Sequence, residues 1–492
     1  MANDNEILES VLAEFEKLAA IPRPSGHEEA VSNYLKEAFA ALGCPVTQDA
    51  ANNIIADLAA TPGYEETPRT ILQSHMDMVC VAADGIRYDP EKDPIRLVRD
   101  SEYLRAEGTS LGSDDGIGVA EILSLFRNPP EPHGPLRAII TTEEETGMGG
   151  AIMLDAKHVA DAAFYLNCDS EEDDLLTVGS AGGLDVSFSR PVRWQPAVKM
   201  PVWRLTVAGL RGGHSGERIN DGRGNAIQFL ADLLTDFATA DIPVFVASLT
   251  GGTAINAIPA TAEAVILTME PEKDLRQAMK RRRDRFLAAF GAADPDLTVT
   301  IAPTERPSRM MSQADVKAVA GLISVLHSGV FAMSPALPGL VETSANIGLL
   351  RTEEDRVWFS YYPRSCVNEK LAAFQRTSAV LGEQFGCPAR IGIPSPAWQE
   401  RPGSRLAKLV TAEFERQRGK KMRVASLHVG LECSFMLKKN PGLDVVSIGA
   451  TTLDIHSPQE RLVLATVAPQ VRLIAGTLRR IAEMVKAATE LA

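Results

Sequence analysis

Apolar positions recur at helical spacing through the first part of the chain, and the opening stretch MANDNEILESVLAEFEKLAA reads as an amphipathic helix with an acidic outer face. A second helix is expected in SGHEEAVSNYLKEAFAALG, where Ser25 and Glu28 stand at capping-box spacing. His27 then falls in its first turn, facing solvent. Short β-rich apolar runs follow, alternating with helical ones: TILQ at 70–73, a helix from about Gly116 to Phe126, LRAIITT at 136–142 and AAFYLNC at 162–168. Such alternation predicts a mainly parallel sheet covered by helices.

Near residue 187 the texture changes. A charged, proline-bearing stretch, SRPVRWQPAVKMP, leads into a new strand pattern, VWRLTVAGL, and strands and helices then alternate to about residue 395. A Pro-rich connector, IGIPSPAWQERPGS, closes this region, and the last ninety residues return to helices and strand-like runs such as DVVSIGA. The expected fold class is α/β. A mainly parallel-sheet domain with helices on both faces, built from 1–187 and 397–492, is interrupted by an inserted α+β domain over 188–396. No internal repeat and no low-complexity tract is visible.

A chain of 492 residues exceeds one ordinary core and should divide into two or three compact units. Its 45% hydrophobic and 23% charged residues are the balance of a soluble globular protein, not of a fibre, a disordered chain or a membrane bundle. The formal charge of −14 argues against a broad nucleic-acid or anionic-membrane surface, which needs clustered Lys and Arg. The one basic run, Lys280 to Arg285, reads as a solvated helix face. There is no secretory signal pattern and no apolar run of membrane-spanning length. Six scattered cysteines without a CxxC pair are expected to be free thiols, which places the protein in a reducing compartment, the cytoplasm.

Three strand-like runs end in metal-ligand residue types: SHMDMV, TTEEETG and NCDSEE. A helix start, LGSDDGIG, adds Asp114 and Asp115. Ligands of open α/β sheets bind at the carboxyl ends of strands, so these positions should converge. Imidazole with several carboxylates and no thiolate suits zinc or manganese better than calcium. Each signal alone has a bland explanation. His near Asp occurs by chance, Asp before Gly caps helices, and adjacent Glu residues are usually solvated. Their order and their placement at element ends raise them together, and Glu143 to Glu145 emerge directly from the apolar run LRAII. A further imidazole, His456, follows DVVSIGA in the C-terminal segment.

The ordered set SHMDMV, LGSDDGIG, TTEEETGMGGA, LNCDSEE, GGHSGE, GGTAINAIP and IHSPQE resembles the cytosolic aminoacyl-histidine dipeptidases, also called Xaa-His or β-alanyl-histidine dipeptidases. These belong to the co-catalytic dizinc peptidase family that includes carboxypeptidase G, peptidase T and the aminoacylases. The resemblance spans almost the whole chain, from IPRPSGHEE to HSPQE.

The resemblance implies that His75, Asp114 and Asp169 hold one zinc ion and that Asp114, Glu145 and His456 hold the other, two per subunit, with Mn2+ or Co2+ able to substitute. Asp114 would bridge ions roughly 3.5–4 Å apart. Asp77 would orient His75, Asp115 would be a cap or outer-shell residue, and Glu144 would be the general base. His214 of the inserted lid and dimerisation domain would stabilise the oxyanion. Asn256 and Arg364 would bind the substrate carboxylate. Gly430 and Glu432 would close the pocket, Glu432 suiting a free amino terminus, while His428 and Cys433 would pack. His133, His158 and His327 match nothing in the family. The implied activity is hydrolysis of unblocked dipeptides, Xaa-His type among the preferred, by a homodimer. The alternatives are an aminoacylase or other amidase acting on blocked substrates, and a catalytically silent metal-binding protein.

Overall fold

In a computed structural model, which describes residues 3–335 and 339–490, the apolar runs of the first region become neighbouring strands of one sheet. The chain divides into two compact units. The first comprises 1–179, 400–426 and 431–492, and the second 180–399 and 427–430.

The first unit opens with helix α1, Asp4–Ala19, which carries a complete capping box between Asn3 and Glu6. Helix α2, Glu29–Ala41, begins later than expected and has no side-chain cap. The expected box of Ser25 and Glu28 does not form, because both side chains have stronger partners elsewhere. Ser25 Oγ donates to Asp77 Oδ2 at 2.7 Å, and Glu28 Oε1 accepts from the Gly26 and Glu143 amides at 3.0 and 2.9 Å. Of these partners, Asp77 lies at the site described below and Glu143 directly precedes two of its residues.

Strands β1 (Val46–Gln48), β2 (Ile54–Leu58), β3 (Arg69–His75), β4 (Leu136–Thr141) and β5 (Ala162–Asn167) join Asp444–Ser447, Leu175–Ser180 and Arg423–Leu427 in one sheet. Its order is β1, β2, β4, β3, β5, then 444–447, 175–180 and 423–427. The central pairs are parallel: β3 with β4, β3 with β5, and 444–447 with β5. Every residue of β4 is buried, as expected of a strand covered on both faces. Alternation separates those faces. Leu72, Ala138, Ile140, Phe164, Leu166 and Val446 join a core shared with α1, α2 and helix α3 (Ser113–Arg127). On the other face Ile71, Ile139, Tyr165 and Val445 are also buried, outside that cluster. The short helix 433–439 packs against those at 149–153 and 157–160 and against 444–447.

The second unit contains a repeat that the sequence does not display. Its sheet runs β10, β7, β9, β8, β11, β12, β6, β13, where β6 is Val186–Pro191, β7 Val202–Ala208, β8 Phe245–Gly251, β9 Ala262–Leu267, β10 Thr298–Pro303, β11 Val341–Thr352, β12 Arg356–Ser365 and β13 Ala389–Ile391. With helices α4 (Ala226–Thr239) and α5 (Glu272–Phe290), strands β7 to β10 form a β-α-β-β-α-β half. Strand β6, helices α6 (Gln313–Val325) and α7 (Asn368–Gln384), and β11 to β13 form a second half of the same order. In each, the four strands lie fourth, first, third, second. The halves meet edge to edge through β8 and β11, with Gly251 opposite Leu350. One half is inserted after the first strand of the other, so no fixed sequence period survives, and that is why the repeat is invisible in the sequence. At this seam Gly252 has φ +70°, and a Cβ there would collide with the Gly348 carbonyl.

The second unit also begins earlier than the expected residue 188. Strand β6 pairs with β12 and β13 inside it, so the composition change near 187 falls within that strand rather than ahead of the unit. The basic run at 280–285 is partly engaged: Arg282 reaches Asp232 and Asp236 on α4. Among the described residues none of the six cysteines forms a disulfide. Among the described residues no helix is long and apolar enough to cross a membrane.

Candidate metal centre

Three adjacent parallel strands deliver the site. His75 is the last residue of β3, Glu144 and Glu145 follow β4, and Asp169 follows β5. Asp114 comes from the start of α3, where φ −83° and ψ 109° take it out of the helix and Gly112 precedes it at φ +71°. His456 comes from the loop beyond 444–447 and has φ +57°, a left-handed conformation rare outside glycine.

These side chains converge. His75 Nε2 lies 3.1 Å from Asp114 Oδ1 and 3.6 Å from Asp169 Oδ1. His456 Nε2 lies 3.2 Å from Asp114 Oδ2 and 3.0 Å from Glu145 Oε2. Asp114 therefore turns one oxygen to each imidazole. In each of the sets His75/Asp114/Asp169 and Asp114/Glu145/His456, one ligand atom per residue lies within 4.8 Å of the others. No Lys or Arg pairs with Asp114, Glu144, Glu145 or Asp169 among the described residues, so these carboxylates have only imidazoles to balance them. Four crowded carboxylates, two imidazoles and one shared oxygen pair suit two divalent cations.

The electrostatics carry the same imprint. Burial would raise Asp114, yet His456 and His75 hold it well below the usual carboxylate range. Burial pushes Asp169 up to about 6, with Asp114 and Glu145 adding to the effect and His75 opposing it. Hydrogen bonds to Asp114 and Glu145 hold His456 up at about 11. Glu144 is pushed up first by burial, then by the carboxylates of Asp169, Glu432 and Glu145, against His75. Among the described residues its carboxylate has no hydrogen-bond or ion-pair partner.

Asp77 supports the ring of His75. Its Oδ1 lies 3.3 Å from His75 Nδ1 and accepts the Glu144 amide at 3.1 Å; its Oδ2 takes Ser25 Oγ and the Glu145 amide at 3.2 Å. A donating Nδ1–H leaves Nε2 with its lone pair toward the carboxylates. Asp115 is both cap and support. It accepts the Gly118 amide at 3.2 Å and the His75 amide at 3.3 Å, and takes the Ser74 hydroxyl in a short bond. Glu432 is fully buried: Oε2 accepts from Gln73 Nε2 at 2.6 Å and Thr141 Oγ1 at 2.7 Å, while Oε1 has no partner and burial lifts the carboxyl to about 8. Sequence reasoning missed Arg23, Ser25 and Glu460. They stand inside the stretches IPRPSGHEE and IHSPQE without a ligand's place there, and each acts through backbone groups or another side chain.

The other expected residues belong to the second unit. His214 sits in a two-residue strand opposite Ala257, and the Ser215 amide donates to the Asn256 carbonyl at 2.8 Å. The Glu217 amide donates to His214 Nδ1 at 3.4 Å, which leaves Nε2–H as the free donor. Burial, then Arg364, keep this imidazole neutral by lowering its pKa. Asn256 itself is exposed. Arg364 is 6% exposed, stacks over Tyr362 at 4.7 Å and has no carboxylate partner among the described residues. His428 lies in its field: Nε2 is 2.7 Å from Ser344 Oγ, and burial plus Arg364 lower its pKa to about 4. Gly430 closes the 427–430 segment of this unit and is partly exposed.

A centre of two imidazoles and four carboxylates at the ends of parallel strands defines a metallohydrolase. The chain belongs to peptidase family M20/M25/M40, which it matches over residues 71–480. It is 30% identical over 469 residues, 95% of this chain and 96% of the relative, to the cytosol non-specific dipeptidase of Escherichia coli. The crystal structure of an aminoacylhistidine dipeptidase from Vibrio alginolyticus matches with TM-score 0.87 and 30% identity, covering 96% of each chain. A tripeptidase structure from Staphylococcus aureus shares the fold at TM-score 0.56 and 17% identity, over 97% of this chain and 99% of that one.

Proposed function

We propose that this chain is a metal-dependent dipeptidase of the cytoplasm that hydrolyses dipeptides with a free amino terminus, Xaa-His dipeptides among those it prefers. The observation that carries the reading is Asp114, one oxygen toward His75 and the other toward His456, beside a Glu144 carboxylate that no described residue engages. Similarity along nearly the full length to the Escherichia coli and Vibrio alginolyticus dipeptidases supports the substrate class.

In this reading His75, Asp114 and Asp169 hold one Zn2+ and Asp114, Glu145 and His456 the other, with Mn2+ or Co2+ able to replace them. Bound there, the cations would supply Lewis acidity to the scissile carbonyl and to the attacking water. Glu144 would take a proton from the attacking water and return it to the leaving amine. Asp77 keeps His75 in the tautomer that ligates. His214 donates Nε2–H to the developing oxyanion, while Arg364 and Asn256 hold the substrate carboxylate, with Gly430 shaping the pocket. Glu432, buried and partly unpartnered, receives the free amino group.

The homodimer belongs to the same proposal. Edges β8 and β11 are already paired within the chain, so a dimer must use another surface; light scattering of the purified protein decides. The activity is tested by a dipeptide panel before and after chelation, with Zn2+, Mn2+ or Co2+ restored. Hydrolysis of free-amine dipeptides that disappears with the metal and returns with it is the expected result. A preference for N-acetylated substrates would make the protein an aminoacylase instead, and activity that survives metal removal would overturn the metal-dependent reading.

A further inference from the structure

Glu460 lies four residues beyond His456 and is 3% exposed. Its Oε2 accepts the amides of Leu111 at 2.8 Å and Gly112 at 3.0 Å; its Oε1 accepts the Ser113 amide and hydroxyl, each at 2.8 Å, and the Asp114 amide at 3.4 Å. The same loop is gripped through a carbonyl by a buried cation. Arg23, 1% exposed, donates to the Gly112 carbonyl at 2.6 Å and to those of Met76 and Asp77 at 2.8 and 3.2 Å. A Cβ on Gly112 would lie 2.6 Å from Arg23 Nη2, so the guanidinium reaches the loop only because residue 112 is glycine.

Loop 111–114 carries one side chain of the metal centre, Asp114. Glu460 holds its amides and sits on the same segment as His456, so one carboxylate links the bridging ligand to the second imidazole. The His75 side has separate anchors: Asp77 fixes the ring, and Asp169 comes from β5. On the His456 side the Glu145 amide also donates to Asp77, but among the described residues no side chain holds the His456 ring from Nδ1 as Asp77 holds that of His75.

We propose that Glu460 is a positioning residue for the cation held by Asp114, Glu145 and His456, and that its loss weakens this position well before the one at His75, Asp114 and Asp169. This rests on the two-cation reading above. Glu460→Gln keeps the shape but turns an amino group against amide donors, which an anion otherwise satisfies.

The test is titration of metal-free protein with Co2+, read by visible absorption and by competition with a chelator, alongside the melting temperature of the metal-free forms. Wild type should take two equivalents. Glu460→Gln should take one with near-normal affinity and a second weakened roughly 10–100-fold, the usual cost of losing a residue that supports a metal ligand. Two equivalents at wild-type affinity would overturn the proposal, as would equal weakening of both with a lowered melting temperature. Wild type failing to take two equivalents would overturn the two-cation reading itself. Ser113→Ala removes one hydroxyl bond and leaves the amides in place; it should shift only the second affinity, by about threefold to tenfold, and decides the matter if Glu460→Gln does not fold.

Discussion

Ser25 Oγ donates to Asp77 Oδ2 at 2.7 Å across a separation of 52 residues, so a residue at capping-box spacing serves the metal centre instead. Asp77 must hold its carboxylate toward His75 Nδ1 while buried, and each hydrogen bond to it keeps it ionised and aimed. Ser25→Ala removes one of these bonds and leaves the Glu144 and Glu145 amides. It should lower kcat roughly threefold to tenfold with both metals retained, whereas Asp77→Ala should lower metal affinity roughly 10–100-fold. Metal content and kcat of the two variants, measured side by side, check the order; equal losses would mean that Ser25 acts on the fold alone.

Glu144→Gln keeps the length and polarity of the side chain and removes its ability to take a proton. Because no described residue bonds to this carboxylate, the substitution breaks no visible contact. We expect kcat to fall by roughly 100-fold to 10,000-fold, the range for loss of a positioned general base, with metal stoichiometry and melting temperature unchanged. A variant that binds both metals and turns over at a near-normal rate would remove Glu144 from its role.

Arg364 is a buried guanidinium with no carboxylate partner among the described residues, an arrangement that costs stability unless an anion arrives. Arg364→Met should therefore leave stability equal or raise it, while weakening substrates that carry a free carboxyl terminus. The expected loss is about 2 kcal/mol, roughly 30-fold in kcat/KM. Dipeptide amides, which lack the charge, should lose little. If acids and amides suffer alike, Arg364 does not read the carboxylate.

The ligand types were legible because they sit directly after apolar runs that could only be buried strands. LRAII ends where Glu143 to Glu145 begin, and AAFYLNC ends where Asp169 follows. What holds those ligands was far less legible. Glu460 and Arg23 bind backbone amides and carbonyls, and backbone groups leave no mark on side-chain pattern. Ser25 was misassigned because a local capping rule competes with long-range contacts that a single sequence does not display. The doubled β-α-β-β-α-β unit escaped for another reason. It repeats in topology, not in residues, and β6 is separated from the rest of its half by the inserted one.

Glu413 offers a test of the scaffold that leaves the metal centre untouched. On the helix Arg405–Arg418 it is 1% exposed and receives Arg416 and Gln417 of its own helix together with Arg480 of the C-terminal helix Leu464–Glu490, at 2.7 Å. Burial would raise its pKa, but these hydrogen bonds pull it down to about 2. Because the folded value lies below the unfolded one, the stabilisation is fully present above the unfolded carboxyl pKa, about 4.3. It is lost as pH falls from there through about 2. Arg416 and Arg480 are partly solvated, so the contribution is on the order of 1–2 kcal/mol rather than the full value of the shift. Chemical denaturation of wild type and Glu413→Gln, with chelator present throughout so that metal release does not intervene, should show that gap at pH 7 and about half of it near pH 3. A gap that stayed constant across this range would mean that Glu413 stabilises the helix pair by packing and neutral hydrogen bonds, not by its charge.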